Sequence, residues 1–242
     1  MTGVYRIAEH NIAIESNFET VQRLCEDYCT DAEPELTLSV PMEELTEILR
    51  KGREDYPELP DSEFLPPDYL ELAIIYKQLA ERTPYWDTVM LHGSAVAVDG
   101  ACYVFCAKSG TGKSTHARLW RQLLGERAVM VNDDKPMVHI RADGSAEVYG
   151  TPWDGKHRLS TNTHVPLRAI CILERSEGNT IRPITKSEAW PMLLQQFYRP
   201  YDAEAMEKTM DLIGRLQTKF YRLGCNMELE AAELSYQTMK GG

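Results

Sequence analysis

Long apolar runs are absent from this chain of 242 residues. The first fifteen residues include Arg6, Glu9, His10 and Glu15, so they do not read as a secretory signal. No later segment approaches the roughly 20 apolar residues that cross a membrane. We therefore expect a cytoplasmic protein without a membrane partner.

Cysteine pairs with zinc-binding spacing are also lacking. Six cysteines are present, and none forms a CxxC pair. Small buried thiols in a reducing compartment are the expected role of such residues. They are Cys25, Cys29, Cys102, Cys106, Cys171 and Cys225.

An excess of positive charge is missing as well, since the formal net charge is -11. Residues 1–91 hold 20 acidic and 7 basic side chains, whereas residues 92–242 hold 17 acidic and 19 basic ones. An acidic surface repels nucleic acid and anionic membranes, so neither is an expected partner. The nearly neutral second part suits a nucleotide site, which needs local cations.

One nine-residue segment carries most of the functional information. Residues 107–115 read AKSGTGKST, after the apolar segment Ala101–Cys106 and before a helix-like stretch. Small residues let backbone N–H groups turn toward phosphate oxygens, and the following helix presents its positive dipole end to the same anion. Lys113 would reach the β- and γ-phosphates of ATP, and the Ser114 hydroxyl would hold Mg²⁺. The residues predicted to bind the nucleotide are Ser109, Gly110, Thr111, Gly112, Lys113, Ser114 and Thr115.

Strand and turn patterns from residue 89 onward predict a mixed, hairpin-rich α/β sheet around one strand–phosphate-loop–helix unit. Asp-Gly dipeptides between short apolar runs favour two-residue hairpin turns. Three strand pairs are predicted: Ala95–Val98 with Ala101–Cys106, Met137–Ala142 with Ala146–Tyr149, and Leu167–Leu173 with Ile181–Ile184. This order differs from the repeated βαβ units of most phosphate-loop enzymes.

The same patterns suggest two domains. Residues 1–88 are predicted to form a small acidic α+β region. Residues 89–242 are predicted to form the nucleotide-binding domain, with a helical C-terminal extension that is compatible with a homo-oligomer.

An acidic pair ends the apolar strand that follows the loop helix. Asp133 and Asp134 close the segment AVMVNDD. Adjacent residues of an extended strand point to opposite faces, so one carboxylate could hold the metal and the other could act as general base. The alternative is an exposed turn before Pro136 with both carboxylates in water.

Several of these features together resemble a known enzyme family. His92-Gly93, the turn at Asp99-Gly100, the loop SGTGKS and the strand ending in Asp133-Asp134 occur in the order found in HPr kinase/phosphorylase, a bacterial protein-serine kinase. The loop is also similar to that of ATP-dependent phosphoenolpyruvate carboxykinase, which shares the fold. Residues 147–150, EVYG, resemble the E-x-R-G element of the HPr kinases.

The resemblance implies roles for individual residues. It implies catalysis by His92, Asp133 and Lys113, and metal binding by Ser114, Asp134 and Glu147. It also implies ATP and Mg²⁺ as cofactors. The residues themselves leave open which of the two aspartates is the general base and which is the metal ligand.

Departures from the family pattern are present too. Ala107 stands where the loop usually begins with glycine, Lys108 where HPr kinases have aspartate, and Tyr149 where they have arginine. The first 90 residues do not resemble the usual N-terminal domain of these kinases. The chain is thus more similar to the smaller HPr-kinase-like proteins, some of which accompany peptide-modification clusters.

A basic segment after these motifs has no counterpart in them. Residues 150–160 read GTPWDGKHRLS, with Lys156 and Arg158 near an exposed-looking Trp153. A mobile loop that closes over the nucleotide or acceptor phosphate is one interpretation. A solvated hairpin loop is the other.

The leading functional hypothesis is an ATP-dependent kinase that phosphorylates a hydroxyl, with serine of a protein or peptide as the expected acceptor. A carboxykinase-like enzyme acting on a small carboxylate and a non-catalytic ATP-binding sensor are the alternatives. The first lacks a visible arginine constellation for its substrate, and the second has no need of a general base.

Overall fold

A computed structural model of the chain describes residues 1–155 and 157–241. The chain divides into two compact units, Met1–Glu81 and Arg82–Gly242. No helix within the described ranges has the length and apolarity that a membrane crossing requires.

The first unit is built on a three-stranded sheet. Strand β1 (Thr2–Ile7) pairs antiparallel with β2 (His10–Glu15), which pairs parallel with β3 (Leu36–Ser39). Three helices accompany the sheet: α1 (Glu19–Leu24), α2 (Met42–Asp55) and α3 (Pro67–Arg82).

A nine-stranded mixed sheet forms the second unit. Its strands are β4 (Thr88–Met90), β5 (Ser94–Val98), β6 (Ala101–Cys106), β7 (Ala128–Asn132), β8 (Met137–Ile140), β9 (Ala146–Tyr149), β10 (His164–Arg175), β11 (Thr180–Ile184) and β12 (Lys219–Cys225). Neighbouring strands follow the order β4-β8-β9-β10-β6-β5-β7, and β12 pairs with both β10 and β11. The prediction of a mixed α/β sheet is confirmed at this level, and the arrangement is that of an α+β fold.

Two of the three predicted strand pairs are present. Strands β5 and β6 pair antiparallel across a turn in which Asp99 and Gly100 both have positive φ (50° and 80°). That conformation matches the twist of the flanking strands and explains the Asp-Gly sequence. Strands β8 and β9 form the second hairpin, around Asp143 and Gly144.

The third predicted pair is wrong. Strand β12 lies between β10 and β11, running parallel to β10 and antiparallel to β11. Parallel neighbours need a long crossover, and here two helices separate β11 from β12 along the chain. A short turn signal at residues 176–179 could not reveal a partner that arrives so much later in the sequence.

Helices cover both faces of the large sheet. They are α4 (Lys113–Leu124), α5 (Lys186–Gln196), α6 (Ala203–Arg215) and α7 (Leu229–Gly241). Alternate residues of β6 pack on opposite sides: Val104 joins a cluster with Leu193 and Leu212, and Phe105 joins one with Trp120. Helix α4 therefore sits on the face opposite to α5 and α6.

A buried histidine anchors α4 to α7. His116 Nε2 lies 3.0 Å from Ser235 Oγ, which also accepts a hydrogen bond from Trp120 Nε1 at 2.8 Å. Ser235 Oγ donates to the Ala232 carbonyl oxygen, so its single proton is used and His116 must carry its proton on Nε2. Burial lowers the pKa of His116 to about 4.

This histidine predicts loss of stability in acid. Because the pKa of His116 falls from 6.5 to about 4 on folding, the unfolded chain binds more protons between these values, and stability falls as the pH drops through that range. The expected contribution is roughly 2 kcal/mol between pH 7 and pH 5. Urea unfolding at pH 7 and at pH 5 measures this change in the free energy of unfolding. His116→Gln should be less stable at pH 7 but lose less on acidification, and an unchanged pH dependence would contradict the assignment.

Candidate functional site

The loop of residues 107–112 joins β6 to α4 and has the local geometry of a tight turn. Gly110 and Gly112 adopt φ values of 75° and 120°, a region that disfavours side chains. The backbone N–H of Thr111 donates to the Lys108 carbonyl oxygen at 3.2 Å. Both glycines are thus required by conformation.

Ala107 occupies the first loop position without strain. It is fully buried among the apolar side chains beneath α4, and it is not among the residues with positive φ. A glycine is therefore not needed there, because the methyl group packs into the core.

Lys113 begins α4 and turns back over the loop. Its side chain is buried, and Nζ donates to the Ala107 carbonyl oxygen at 3.3 Å. Burial lowers the pKa of Lys113, whereas nearby Asp134 and Asp133 raise it. Within the part of the chain that the structure describes, no side chain caps the start of α4, so the free N–H groups of its first turn are available to an anion.

Arg175, at the end of β10, holds the loop from outside. Its guanidinium donates to the carbonyl oxygens of Gly110 and Thr111. Strand β10 pairs parallel with β6, which brings the end of β10 beside the loop. The sequence offers no signal for this contact, since Arg175 resembles any charged residue at a strand end.

Asp133 and Ser114 line one cavity of about 570 Å³. Asp133 is buried, and its Oδ1 accepts a hydrogen bond from the buried Ser94 Oγ at 2.7 Å. Among the described residues no hydrogen bond reaches Oδ2. A Cβ atom at position 155 would lie 3.2 Å from Oδ2, so Gly155 leaves that oxygen uncovered.

Asp134 faces a different set of side chains. Its Oδ1 lies 3.4 Å from His92 Nε2 and 3.5 Å from Lys135 Nζ. Burial first, then the cations Lys135 and Lys113, lower the pKa of His92 to about 4, although Asp134 opposes them. The two carboxylates therefore have separate environments, although they lie in a bend after the end of β7 and not on the strand itself.

Asn132 orders the turn that carries both aspartates. Its Oδ1 accepts hydrogen bonds from the backbone N–H groups of Asp134 (2.8 Å) and Lys135 (2.7 Å). Its Nδ2 donates to the carbonyl oxygen and the hydroxyl of Thr151, both at 3.1 Å. Asparagine before an Asp-Asp pair is typical of such capping, so the sequence does contain a signal for the role of Asn132, which the predicted site residues do not include.

Gln196, the last residue of α5, connects His92 to the loop. With the amide nitrogen facing its acceptors, it donates to His92 Nδ1 at 3.3 Å and to the Ala107 carbonyl oxygen at 3.2 Å. The His92 backbone N–H donates to the Gln196 carbonyl oxygen at 2.8 Å. A donor at Nδ1 leaves the neutral imidazole with its proton on Nε2, toward Asp134.

Gln196→Leu should raise the pKa of His92 from about 4 toward its ordinary value of 6.5. The amide donor at Nδ1 opposes protonation of that atom, so its removal favours the charged ring. An NMR titration of the imidazole measures the change. The exposed neighbour supplies the matched control, because Gln195→Leu should leave the titration of His92 unaltered. An unshifted pKa in Gln196→Leu would exclude this contact.

The predicted metal ligands are not all brought together. Glu147 lies opposite His139 in the β8–β9 register, away from Asp134 along the hairpin, and pairs with Arg141 Nη2 at 2.7 Å. Within the described ranges, no three His, Cys, Asp or Glu side chains are grouped to hold a metal ion. Ser114 and Asp133, in contrast, offer two oxygen donors to one cavity.

The segment 150–160 packs against this cavity. His157 and Leu159 line it together with Asp133. Arg158 has a φ of 48° and donates its backbone N–H to the Gly155 carbonyl oxygen at 3.0 Å. Lys156, predicted to contact phosphate, lies outside the described residues.

The expectation that Trp153 is exposed is wrong. Its side chain is only 9% accessible, and its carbonyl oxygen is an acceptor for Asn132. Glycines and charged residues around Trp153 suggested exposure. The sequence could not show that the segment folds back on β7, where the Thr161 N–H donates to the Val131 carbonyl oxygen.

Comparison with known proteins completes the description of the site. A search of curated proteins found no match. Among solved structures, the chain is similar to the Hpr(Ser) kinase/phosphatase from Coxiella burnetii, with 8% identity and a TM-score of 0.33 over 62% of this chain and 98% of the other. A model of the family described as SynChlorMet cassette protein ScmC matches residues 69–228, more than half of the chain, so the protein belongs to that family.

Proposed function

We propose that the protein is an ATP-dependent kinase that transfers the γ-phosphate to a hydroxyl, with serine of a protein or peptide as the acceptor. The observation that carries this proposal is the shared cavity of Ser114 and Asp133 at the uncapped start of α4. A helix end that can bind an anion, a buried lysine at its first position and a neighbouring cavity with a carboxylate are parts that phosphoryl transfer requires.

The nucleotide phosphates would bind the N–H groups of residues 110–115. Lys113 would leave the Ala107 carbonyl oxygen and contact the β- and γ-phosphates. Its buried position supports this role, since a cation in low dielectric acts more strongly on developing charge than one in water.

Magnesium fits the donors of this cavity. Mg²⁺ prefers oxygen ligands and is usually held by one or two carboxylates together with substrate phosphates and water. The Ser114 hydroxyl and the uncovered Oδ2 of Asp133 match that preference. When bound, the ion would neutralise charge on the transferred phosphoryl group.

Asp134 is our candidate for the proton acceptor, with His92 as its positioning residue. The acceptor oxygen would attack the γ-phosphorus while the bond to the bridging β–γ oxygen breaks and ADP leaves. The hydroxyl proton would pass to the Asp134 carboxylate, which His92 and Lys135 hold in place. This division of duties is the reverse of the one that the sequence resemblance implies for the two aspartates.

Incubation with γ-labelled ATP and Mg²⁺ tests the proposal, using a serine-containing peptide library as acceptor. Label on the peptides is the expected result. Nucleotide binding without transfer to any peptide would instead support a sensor. If neither binding nor transfer were detected, the proposal of a nucleotide site would be rejected.

A further inference from the structure

Two arginines of α4 face the cavity that holds Ser114 and Asp133. Arg118 and Arg121 are three positions apart and thus on one side of the helix. Within the described residues neither side chain makes an ion pair or a hydrogen bond. Apart from these two, the titratable side chains that line the cavity, among those the structure describes, are Asp133 and His157.

Distance along the helix separates these arginines from the nucleotide end. Arg118 and Arg121 follow Lys113 by five and eight residues, which places their backbones about 7 and 12 Å further along the axis. The phosphates require the first turn of α4, and the backbones of the two arginines lie beyond that turn along the same cavity wall. The two guanidinium groups are therefore free to bind a second anionic group.

The remaining lining of the cavity is apolar. Met130 and Leu159 contribute side chains, and Ala117 lies on the same helix face as Ser114. A volume of about 570 Å³ is in the range that binds small ligands or a few peptide residues. Guanidinium groups at one end and an apolar wall suit a short segment that carries a carboxylate.

We propose that Arg118 and Arg121 recognise an acidic peptide acceptor, with a carboxylate two to four positions from the serine that is phosphorylated. This inference rests on the proposed kinase function. An extended peptide advances about 3.3 Å per residue, so two to four residues cover the span from the transferred phosphate to the two arginines. Guanidinium groups bind carboxylates through paired hydrogen bonds, which gives the site its preference.

Three fluorescent peptides test the acidic site by anisotropy, without nucleotide. Each has a central serine, flanked on both sides at positions two to four by glutamate, glutamine or lysine. The glutamate peptide should bind at least tenfold more tightly than the glutamine peptide. The lysine peptide should bind no more tightly than the glutamine peptide. The double variant Arg118→Gln/Arg121→Gln should reduce this preference to less than about twofold.

A charge-matched control separates recognition from net charge. Arg182 and Arg222, on the neighbouring strands β11 and β12, form ion pairs with Glu188 and Glu174. The double variant Arg182→Gln/Arg222→Gln should keep the full preference for glutamate. Equal binding of the three peptides, or a preference that survives in the α4 double variant, would overturn the proposal.

Two further readouts distinguish this site from the kinase activity. MgATP affinity should change less than threefold in the α4 double variant, and a tenfold loss with an intact glutamate preference would assign the arginines to the nucleotide. A glutamate preference without phosphate transfer would reject the kinase and keep the acidic site. Phosphate transfer at equal rates to the glutamate and glutamine peptides would support the kinase and reject the acidic site.

Discussion

Lys113→Met should reduce phosphate transfer by at least about 10³-fold, while the protein remains folded. The Lys113 side chain is buried, and its Nζ donates a hydrogen bond to the Ala107 carbonyl oxygen. Methionine fills the same space with an apolar chain of similar length, so packing should persist. What is lost is the charge that would act on the phosphoryl group.

Kinetics of transfer from labelled ATP measure this effect, together with circular dichroism to verify folding. Lys108→Met is the matched control, because Lys108 lies in the same loop and is exposed. We expect the control to retain activity within about threefold, as surface substitutions usually do. Comparable activity in Lys113→Met and the native protein would mean that the loop is not the phosphate site.

Asp133→Asn and Asp134→Asn should both lower turnover by about 10²-fold or more, with different signatures. Asp133 shares its cavity with Ser114, so the loss of its charge should raise the Mg²⁺ concentration needed for half-maximal activity. Asp134 pairs with His92 and Lys135, so its loss should change the pH dependence of turnover and leave the Mg²⁺ requirement unaltered.

Turnover across a range of Mg²⁺ concentrations and pH values separates the two carboxylates. The substitutions are isosteric, and each variant serves as the control for the other. If Asp134→Asn raised the Mg²⁺ requirement and Asp133→Asn did not, the roles would be those implied by the sequence resemblance. If neither variant lost activity, both carboxylates would be structural.

Much of the fold around the site can be predicted from the sequence, because the sequence patterns that indicate it are local. The Asp-Gly turns lie between the strands that they connect, and the glycines of the 107–112 loop stand where positive φ is required. The acidic pair follows directly on a buried strand, and this position could be read from the sequence, whereas the bend at Asp133 and Asp134 that separates the two carboxylates could not.

The partners of the site residues were not predictable in the same way. Gln196 and Ser94 contact His92 and Asp133 through tertiary structure, and glutamine or serine at such positions is unremarkable in a sequence. The metal role expected for Glu147 depended on strand register, which sets Glu147 opposite His139. A motif match does not determine the strand register. A shift of the register by one residue would turn every side chain of the strand to the opposite face of the sheet.

The contact of Arg175 with the loop has a consequence for the energetics of recognition. By binding the carbonyl oxygens of Gly110 and Thr111, the guanidinium fixes the orientation of those peptide groups before any ligand arrives. The peptide unit that begins with the Thr111 carbonyl carries the N–H of Gly112, which is therefore held in place as well, and less conformational entropy would be lost if an anion bound there. In the proposed nucleotide site, the affinity of a glycine-rich turn would thus depend partly on a cation that never needs to touch the ligand.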